Sequence, residues 1–492
     1  MKNLILFEDA HLLVVHKPSG INTHRPDRYA PDGLFEWLTK RGRQLAIHQR
    51  LDKDTSGVLV FGKSPRANQS LARQFEAHQV HKEYLLLSSS KPTRRKFCAE
   101  TPSEATEFEY IQPHGDVHLI AARPITGKTH QIRRHAADNG FPILGDTKYG
   151  GTPAPRLMLH AHRISLRHPQ SDEPVTFQAS VPRAFDEPDS LVVAKECREL
   201  LFDDDTNAYR LLSEPEVIVD WYDGHALVQW QTAKVAPELY EKLMARSIYE
   251  QMATRRERTT PRWVRGETVA DRQPIRENGV TYLINFGEGL ATGIFLDQRE
   301  NRRRLLTGQL GGSPRSVRGQ RVLNCFAYTC SFSVAAAKAG AITTSVDLSR
   351  NYLEWGKENF QANSLDLAGH DFVYGDVFEW LKQFAKRGRT WDLVLLDPPT
   401  FSTTKKGRAF RAARDYLALE TLAMSVVAPG GTLFCSTNQR SFAPDAFEQT
   451  LREAARQCGR ATAAVEWETL PFDFRGAEGE RPYLKTLWAT LE

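Results

Sequence analysis

Residues 48–60 read His48-Gln-Arg-Leu-Asp-Lys-Asp-Thr-Ser-Gly-Val-Leu-Val60, with one carboxylate, Asp52, between basic residues and ahead of a turn. The Thr-Ser-Gly turn and the apolar run after it predict a strand that begins shortly after Asp52. An aspartate there can cap the turn, or it can act as a functional carboxylate at the lip of the strand. Taken alone, the position favours the turn cap, so the assignment depends on the other motifs of the chain.

The 492 residues are too many for one hydrophobic core, and at about 150 residues per domain they predict roughly three domains. The composition, 41% hydrophobic and 25% charged, is typical of a soluble globular protein. No apolar run approaches the ~20 residues of a membrane span, and the N-terminus resembles a strand rather than a signal peptide. Six cysteines occur singly and without metal-ligand spacing, so we expect a cytoplasmic protein with no disulfide, metal or membrane partner.

Charge is distributed unevenly along the chain. Residues 1–186 hold 26 Lys and Arg against 19 Asp and Glu, a net +7, whereas the remainder holds 39 against 41. Thirteen of the fifteen histidines also lie in the first part. A basic, His-rich region fits a polyanion such as nucleic acid, although a solvated basic surface with no partner explains the charge equally well.

The N-terminal region is predicted to contain short strands separated by turns, over residues 12–16, 57–62, 83–87, 118–122 and 175–179. Helical patterns are few there, the clearest at 65–78 and 129–139. This pattern predicts a mainly antiparallel α+β domain over 1–186. The acidic, polar segment 187–208, which contains a short amphipathic stretch, is predicted to be a linker or a docking helix.

Two further domains are predicted beyond the linker. Residues 209–308 alternate again, with a helix expected over 237–258 and strands near 281–286 and 292–296, which predicts a small α+β domain. From 309 to 492 strands alternate with helices; the strands are expected at 322–326, 343–347, 371–374, 393–396 and 432–435. That alternation predicts an α/β, doubly wound, Rossmann-like domain.

Five motifs in order identify the first domain as similar to the RluA-type pseudouridine synthases. The glycine turn and His- and Arg-rich helix of Pro124-Ile-Thr-Gly-Lys-Thr-His-Gln-Ile-Arg-Arg-His135 resemble a later motif of that family. The others are Val14-Val-His-Lys-Pro-Ser-Gly20, Lys82-Glu-Tyr84, Phe141-Pro-Ile-Leu-Gly-Asp-Thr-Lys-Tyr-Gly150 and Leu157-Met-Leu-His-Ala-His-Arg-Ile164. With residues 48–60 they lie within residues 14–164, about 150 residues, and together they favour the functional interpretation of Asp52.

The resemblance implies roles for individual residues. Asp52 would be the nucleophile, Tyr84 would stack on the base and handle a proton, and Arg133 would pair with Asp52 and keep it ionised. Arg50 would wedge into RNA to help extrude the uridine, and Arg134 would contact RNA; plain phosphate contact is the alternative for both. No cofactor is expected for this half.

One position departs from the family pattern and bears on the histidine of that motif. Gln49 stands where relatives carry histidine before Arg-Leu-Asp, and His48 lies one place earlier, which puts any role of the histidine in doubt. The compact form and Gln74-Phe-Glu-Ala-His-Gln79 resemble the subgroup that acts on transfer RNA.

A second set of motifs lies in the C-terminal half. The turn Leu323-Asn-Cys-Phe-Ala-Tyr-Thr-Cys-Ser-Phe332 is followed at βαβ spacing by an acid, Asp347, while Asp376 follows the third strand. Leu393-Val-Leu-Leu-Asp-Pro-Pro-Thr-Phe401 ends the fourth strand. In this order, and with Gly293-Ile-Phe-Leu-Asp-Gln-Arg299 upstream, they resemble the RlmI- and RlmK-like S-adenosylmethionine-dependent ribosomal RNA methyltransferases.

This resemblance implies S-adenosylmethionine as cofactor and RNA, chiefly ribosomal RNA, as partner. Asp397 is expected to be catalytic and also to contact the cofactor, and Phe401 to stack on a flipped base. The expected cofactor contacts are made by Phe326, Tyr328, Thr329, Asp347, Asp376, Asp397, Gln298 and Arg299.

The methylated atom depends on whether a cysteine is placed to attack the base. Forming 5-methylcytosine needs a thiolate, but Cys435 in Phe434-Cys-Ser-Thr-Asn-Gln-Arg-Ser-Phe442 lies about two places before the RlmI-like position and is expected to be a packing residue. The stretch is closer to the RlmK-like pattern, whose enzymes methylate guanine N7, and this product is favoured. Cys330, where relatives carry glycine, is expected to narrow the cofactor turn.

The predicted protein is therefore a bifunctional RNA-modifying enzyme. The alternatives are a transfer RNA pseudouridine synthase joined to a 5-methylcytosine methyltransferase, and a non-catalytic factor that only grips RNA. The basic stretches Arg302-Arg-Arg304 and Lys405-Lys-Gly-Arg408 either extend an RNA track or are solvated surface charge.

Overall fold

The computed structural model describes residues 3–232, 236–254, 258–287, 291–310, 313–403, 409–474 and 482–492, the side chains of 313–314, 401–403 and 409–413 excepted. The chain forms two compact units. Unit 1 comprises Met1–Pro26 and Asp32–Asp203, and unit 2 comprises Asp27–Pro31 and Asp204–Glu492. In the described part of the chain, we find no helix with both the length and the apolar character that crossing a membrane would require.

Unit 1 is built on one large sheet. Its strands are β1 (Ile5–Glu8), β2 (Leu12–Lys17), β3 (Ala46–Ile47), β4 (Ser56–Gly62), β5 (His81–Ser88), β6 (Lys96–Thr101), β7 (Glu104–His114), β8 (Val117–Pro124), β9 (Leu159–Arg167) and β10 (Pro174–Gln178). Its helices are α1 (Leu34–Thr39), α2 (Pro65–Glu76), α3 (Gln131–Asp138) and α4 (Ser190–Leu201).

The sheet of unit 1 has the order β1-β2-β4-β9-β5-β8-β7-β6, with β3 on β4 and β10 on β9. Of these pairings, β4 with β9 is parallel, and the others are antiparallel. Two apolar clusters pack on this sheet, one around Phe108 and Phe141 and one around Leu71 and Val60. The predicted mainly antiparallel α+β class is confirmed.

The strand after Asp52, β4, is completely buried and has neighbours on both sides in the sheet. All seven of its residues are buried. Gly57, at φ +120°, allows a close approach, since a Cβ atom there would lie 2.1 Å from the carbonyl oxygen of Ala161 on β9. The loop that carries Asp52 therefore ends against a fixed point of the sheet.

Unit 2 begins with a small α+β part. It contains β11 (Ala208–Ser213), β12 (Val217–Tyr222), β13 (His225–Trp230), α5 (Glu238–Leu243), β14 (Ser247–Met252), β15 (Arg262–Gly266), β16 (Gln273–Glu277) and β17 (Val280–Ile284). The first five strands form a sheet in chain order, in which β13 and β14 are parallel.

The predicted helix over 237–258 is wrong beyond its first turns. Helix α5 ends at Leu243, and Met244 adopts a left-handed conformation at φ 53° that stops it. The chain then enters β14, five of whose six residues are buried between β13 and β15. The expected strand at 292–296 is likewise absent from the described residues there, where Leu296–Gln298 form a 3₁₀ turn instead.

The remainder of unit 2 is the predicted doubly wound domain. Its strands are β18 (Gln309–Leu310), β19 (Ser313–Pro314), β20 (Arg321–Cys325), β21 (Ile342–Asp347), β22 (Asp371–Tyr374), β23 (Trp391–Leu396), β24 (Phe401–Thr403), β25 (Ala409–Arg411), β26 (Val427–Thr437), β27 (Thr462–Glu468) and β28 (Lys485–Leu491). Its helices are α6 (Arg299–Thr307), α7 (Ser331–Lys338), α8 (Arg350–Gln361), α9 (Val377–Lys386), α10 (Ala412–Met424) and α11 (Pro444–Gln457).

Seven of these strands form a sheet of order β22-β21-β20-β23-β26-β28-β27. The first five are parallel, and β28 is antiparallel to both of its neighbours. The carboxyl ends of β20, β21, β23 and β26 thus meet at one edge, where ligands bind in open α/β sheets. The predicted Rossmann-like class is confirmed.

Helix α6 corrects the interpretation of Arg302-Arg-Arg304 as an RNA track or a solvated surface. These three arginines are buried and paired with carboxylates. Arg302 binds Glu277 at 2.7 Å, Arg303 binds Glu300 at 2.8 Å, and Arg304 binds Glu468 at 3.1 Å and also Glu466. The helix is therefore a charged structural core element. The second basic stretch, residues 405–408, lies outside the described residues.

Candidate active sites

Asp52 lies at the lip of β4, where a cation and a histidine approach one oxygen of its carboxylate. Its Oδ2 atom is 3.4 Å from Nη1 of Arg133 and 3.8 Å from Nε2 of His130. The side chain is 28% exposed, so solvent and ligands reach it. The structure thus brings together Asp52 and Arg133, which are 81 residues apart.

Arg133 is held by a second carboxylate that we did not single out as a site residue from the sequence. Its Nε and Nη2 atoms donate to the two oxygens of Asp146 at 2.7 and 2.8 Å, and the Asp146 side chain is fully buried. Burial disfavours the charged guanidinium, but the hydrogen bonds and the charge of Asp146 outweigh it and raise the pKa of Arg133. Asp146 lies within the motif 141–150 quoted above. That motif identified the family, but it did not indicate that Asp146 binds Arg133.

Tyr84 completes this group from strand β5. It lies opposite Ala122 of β8 and Ala161 of β9 in the sheet. Burial raises the pKa of its phenol, and the nearby charge of Asp52 raises it further. The hydroxyl is therefore protonated at neutral pH and lies within the electrostatic reach of the Asp52 carboxylate.

The two other predicted arginines of this half differ in their surroundings. Arg50 is exposed, as an RNA wedge would need to be. Arg134 is bound to Glu104 at 2.6 Å and to the carbonyl oxygen of Thr129 at 2.7 Å, so its guanidinium is already engaged.

Gln49 and His48, the positions that depart from the family pattern, are hydrogen-bonded to groups other than the Asp52 carboxylate. The Gln49 amide donates to the Val58 carbonyl oxygen at 3.4 Å, and Nε2 of His48 lies 3.2 Å from Oδ1 of Asn68 on α2. Neither side chain replaces His130, which lies beside Asp52 and was not predicted as a site residue.

The turn after β20, in unit 2, has an unusual backbone. Phe326, Tyr328 and Cys330 have φ values of 59°, 49° and 60°, which residues with side chains rarely adopt. Alternating left-handed residues turn backbone N–H groups toward one side, and such strain is concentrated at ligand sites. Thr329 lies between them, and its hydroxyl donates to the carbonyl oxygen of Gly293 at 2.5 Å.

Gly293 joins the predicted 293–299 segment to this turn. It has φ +102°, and a Cβ atom there would lie 2.3 Å from Cζ2 of Trp355 on α8. Only glycine fits both the dihedral angle and this approach to the indole. The turn after β20 and the segment 293–299 are consequently held against each other at the edge of the sheet.

Asp347, at the end of β21, presents its carboxylate to the same turn. Oδ2 accepts from the backbone N–H of Tyr328 and Oδ1 from that of Ser349, both at 2.8 Å. Burial raises the pKa of Asp347, against the effect of these hydrogen bonds. A carboxylate has about four acceptor positions, so the group can still accept a hydroxyl donor of a ribose. These acceptor oxygens fit the ribose of the S-adenosylmethionine that the sequence predicts.

Asp376 is the N-cap of α9, where its carboxylate accepts from the backbone N–H of Phe378 at 2.8 Å. It is half-buried at the third strand end. The structure shows that Asp376 caps the helix. A contact of Asp376 with the cofactor stays a prediction.

Asp397, at the end of β23, is held from two sides. Its Oδ1 atom accepts from the Ser436 hydroxyl at 2.7 Å and from the Gln298 amide at 3.1 Å. Gln298 is itself oriented by Asn301, whose amide donates to it at 2.7 Å. Burial raises the pKa of Asp397 to about 6. This carboxylate thus titrates close to neutrality while being fixed in position.

Arg299 and Phe401 are the two remaining predicted residues of this half. Arg299 is buried and bound to both oxygens of Asp473, so its guanidinium faces that carboxylate, and this geometry gives no support to a cofactor contact. The backbone of Phe401 is in β24, and its side chain lies outside the described residues.

Cys435 and Cys330 are both buried. Cys435 has no exposed surface, and burial, with Glu420 beside it, raises the pKa of its thiol well above the usual range. Cys330 also has no exposed surface, and its sulfur packs against α8 at Gly356. Its side chain therefore points to the helix behind the turn.

Comparison with known proteins places both sites in families. Residues 216–473 match the model of S-adenosylmethionine-dependent methyltransferases, and residues 11–138 match that of RNA pseudouridylate synthases. YwbD of Bacillus subtilis, provisionally named a ribosomal RNA large subunit methyltransferase, is 35% identical over 320 residues, which cover 60% of this chain and 78% of YwbD.

Other relatives match in part. Ribosomal RNA large subunit methyltransferase K/L of Vibrio cholerae is 34% identical over 280 residues, 54% of this chain and 37% of its own length. Methyltransferase I of Aeromonas salmonicida is 34% identical over 204 residues, 41% of this chain and 49% of its own length. The chain thus spans less than half of each of these two relatives.

A solved structure agrees with this assignment. The crystal structure of SMU.776, provisionally described as a methyltransferase and complexed with SAH, has a TM-score of 0.54 and 27% identity. The match covers 66% of this chain and 87% of the SMU.776 chain. The chain therefore belongs to the S-adenosylmethionine-dependent methyltransferase family, and its N-terminal part is an RNA pseudouridylate synthase domain.

Proposed function

We propose that this protein converts a uridine of RNA to pseudouridine with Asp52 as the nucleophile, and methylates guanine N7 in ribosomal RNA. Ribosomal RNA is favoured because YwbD and the K/L and I methyltransferases all carry names that refer to the large ribosomal subunit. The first reaction breaks the N1–C1′ bond of uridine and forms a C5–C1′ bond, while a proton leaves C5 and one is gained at N1. It needs no co-reactant.

The contact between Arg133 and Asp52 carries the first half of the proposal. The guanidinium lies against the carboxylate and holds it in position, and Asp146 fixes the guanidinium in turn. Because Arg133 and His130 both approach Oδ2, the Oδ1 atom is the one that meets the substrate. Tyr84 offers a ring for the base and a protonated hydroxyl near the reacting carbon atoms.

The test of this half is nucleoside mass spectrometry on unmodified RNA after incubation with the protein, with pseudouridine identified by retention and derivatisation. We expect Asp52→Asn to abolish pseudouridine and to leave methylation, measured in the same preparation, at the wild-type level. Pseudouridine made by Asp52→Asn at the wild-type rate would refute the nucleophile assignment.

The burial of Cys435 carries the choice of methylated atom. A thiol with no exposed surface and a raised pKa cannot attack a cytosine ring, as 5-methylcytosine formation requires. Guanine N7 has an in-plane lone pair and needs neither covalent activation nor a general base, so positioning suffices. S-adenosylmethionine supplies the methyl group when it is bound.

The cofactor would be held at the edge where the turn after β20 meets the ends of β21 and β23. The residues proposed for it are Phe326, Tyr328, Thr329, Asp347, Asp376 and Gln298, with Asp397 between it and the base. Asp397 can accept from the N–H groups of guanine and orient the ring, which is the catalytic role we propose for it.

Replacing Cys435 with serine separates the methyl products. We expect Cys435→Ser to form 7-methylguanosine as the wild type does. If the wild type instead forms 5-methylcytosine and the variant does not, the cytosine alternative is established. Parallel incubations with ribosomal and transfer RNA decide between those substrates for the first half. Neither product in any RNA would favour a factor that only grips RNA.

A further inference from the structure

Lys82 shares one face of β5 with Tyr84, because residues two apart in a strand point to the same side. The intervening Glu83 points to the other side, where it binds Arg123 at 2.9 Å. Lys82 is half-buried, and burial lowers the pKa of its ammonium. Its charged head is thus partly removed from water on the side of the sheet that carries the catalytic tyrosine.

Two cations on the opposite side, Arg123 and Arg163, are paired with carboxylates. Arg123 also binds Glu109 at 2.8 Å, and Arg163 of β9 lies 3.8 Å from Glu83. Lys82 has neither a hydrogen bond nor an ion pair to any described residue of the chain. A partly dehydrated ammonium with no protein partner is unfavourable unless an anion completes it.

Gly127 lies directly over this ammonium. A Cβ atom at Gly127 would be 3.6 Å from Nζ of Lys82, so the backbone of the 125–129 loop closes over the cation. Gly127 and Lys128 are exposed, and Gln131 fixes the loop by accepting from the backbone N–H of Lys128 at 3.1 Å. The same loop leads into α3, which carries Arg133.

We propose that Lys82, together with the loop at Gly127, binds a phosphate of the RNA next to the uridine on which Asp52 acts. This inference rests on the proposed pseudouridine synthase function. A phosphodiester supplies the missing anion, and Lys82 and Tyr84 are spaced by roughly 7 Å along the strand, so one nucleotide can meet both side chains. The cation would hold the backbone while the base enters the Asp52 site.

The experiment uses the full chain, with the variants Lys82→Gln and Lys82→Arg and the control Lys96→Gln. Lys96 is an exposed lysine at the start of β6, so its loss removes the same charge away from the site. The probe is an unmodified ribosomal RNA fragment. Its dissociation constant is measured over a range of salt concentrations, and the single-turnover rate of pseudouridine formation is measured at saturating RNA.

For Lys82→Gln we expect binding to weaken about tenfold and the salt slope to fall by about one, as the loss of one phosphate contact predicts. The rate at saturating RNA should stay within about threefold of wild type. Lys82→Arg should bind nearly as tightly as wild type, and Lys96→Gln should match it. Unchanged affinity and slope in Lys82→Gln, or a large rate loss at saturation, would overturn the phosphate assignment.

The melting temperature of a further variant separates a structural role of Lys82 from phosphate binding. Lys82→Met should melt at or above the wild-type temperature because it removes a dehydrated charge, whereas a clear drop would assign Lys82 a structural role and overturn the proposal. If the wild type forms no pseudouridine in any RNA but Lys82→Gln still weakens RNA binding with the shallower slope, the proposed activity fails and the phosphate site stands.

Discussion

The sulfur of Cys330 occupies the space where a side chain on Gly356 would begin. A Cβ atom at Gly356 would lie 2.4 Å from Sγ and 2.9 Å from Cβ of Cys330. Cys330 ends the turn after β20, and Gly356 lies within α8, so the two residues fix the turn against the helix. The expected narrowing of the cofactor turn by Cys330 is therefore replaced by packing behind it.

This contact predicts that Gly356→Ala lowers the free energy of unfolding. We expect a loss of about 1–3 kcal/mol from overpacking, despite the ~1 kcal/mol by which alanine favours a helix over glycine. Adding Cys330→Gly should recover most of the loss, and a double-mutant cycle followed by denaturant unfolding measures the coupling. Additive effects of the two substitutions would show that the atoms do not conflict.

Asp146 is expected to affect pseudouridine formation without touching RNA. Asp146→Asn removes the charge that fixes Arg133, so Arg133 is free to leave Oδ2 of Asp52. We expect the isomerisation rate to fall about tenfold or more, which corresponds to ~1.4 kcal/mol in the barrier. Methylation by the same preparation is the internal control and should not change. An isomerisation rate equal to wild type would mean that Arg133 needs no second carboxylate.

Asp397 predicts opposite changes in stability and activity. Its pKa of about 6 in the folded protein exceeds the 3.8 of a free aspartate, so the folded state binds more protons and its stability falls as pH rises from about 4 to 6. Asp397→Asn should therefore equal or exceed wild type in melting temperature at pH 7, and its advantage should shrink below pH 5. Methylation by the variant should be greatly reduced.

The same pKa predicts the pH profile of wild-type methylation. Activity that needs the ionised Asp397 should decline as pH falls through about 6, and pseudouridine formation by the same protein serves as the reference. A methylation rate independent of pH between 5 and 8 would contradict the proposed role of the carboxylate as a hydrogen-bond acceptor.

Arg302 is expected to matter for stability and not for RNA. Arg302→Met leaves Glu277 buried without its cation, which costs about 3–5 kcal/mol in comparable pairs. Glu277→Gln in the same chain should restore part of the loss. RNA affinity, measured below the melting temperature, should equal that of wild type. A marked loss of RNA affinity in the folded variant would return this helix to the RNA-binding surface.

The sequence predicted the helices and strands whose bounds depend on local residue patterns. Helix α2 begins at Pro65 after the N-cap Ser64 and ends at Glu76, close to the expected 65–78. The strands β20 to β23 fall within two residues of their predicted positions, because their apolar runs lie between turn residues. Asp52 and Arg133 could be paired from the sequence because each lies in a motif of the same family.

What the sequence missed depends on distant partners. Helix α6 has the composition of a surface helix, but three of its buried arginines pair with carboxylates far away in the chain. Arg302 pairs with Glu277, Arg304 with Glu468 and Arg299 with Asp473, at separations of 25, 164 and 174 residues. The segment 247–252 has a pattern compatible with helix, but its neighbours β13 and β15 make it a strand. Local pattern is a weak guide where tertiary pairing decides.

Strand β28 determines the order in which the two large sheets can be completed during translation. It lies between β26 and β27, and its residues Leu487, Trp488, Ala489 and Leu491 are fully buried. The methyltransferase sheet therefore cannot close until residues 485–491 have been translated, whereas the ten strands of unit 1 are complete by residue 178. At ribosomal speeds of about 5–20 residues per second, the roughly 300 intervening residues take about 15–60 s. During that interval we expect the nascent chain to carry a complete pseudouridylate synthase domain and an unfinished methyltransferase sheet, whose strand β26 still lacks its neighbour β28 and is exposed to chaperones and to aggregation.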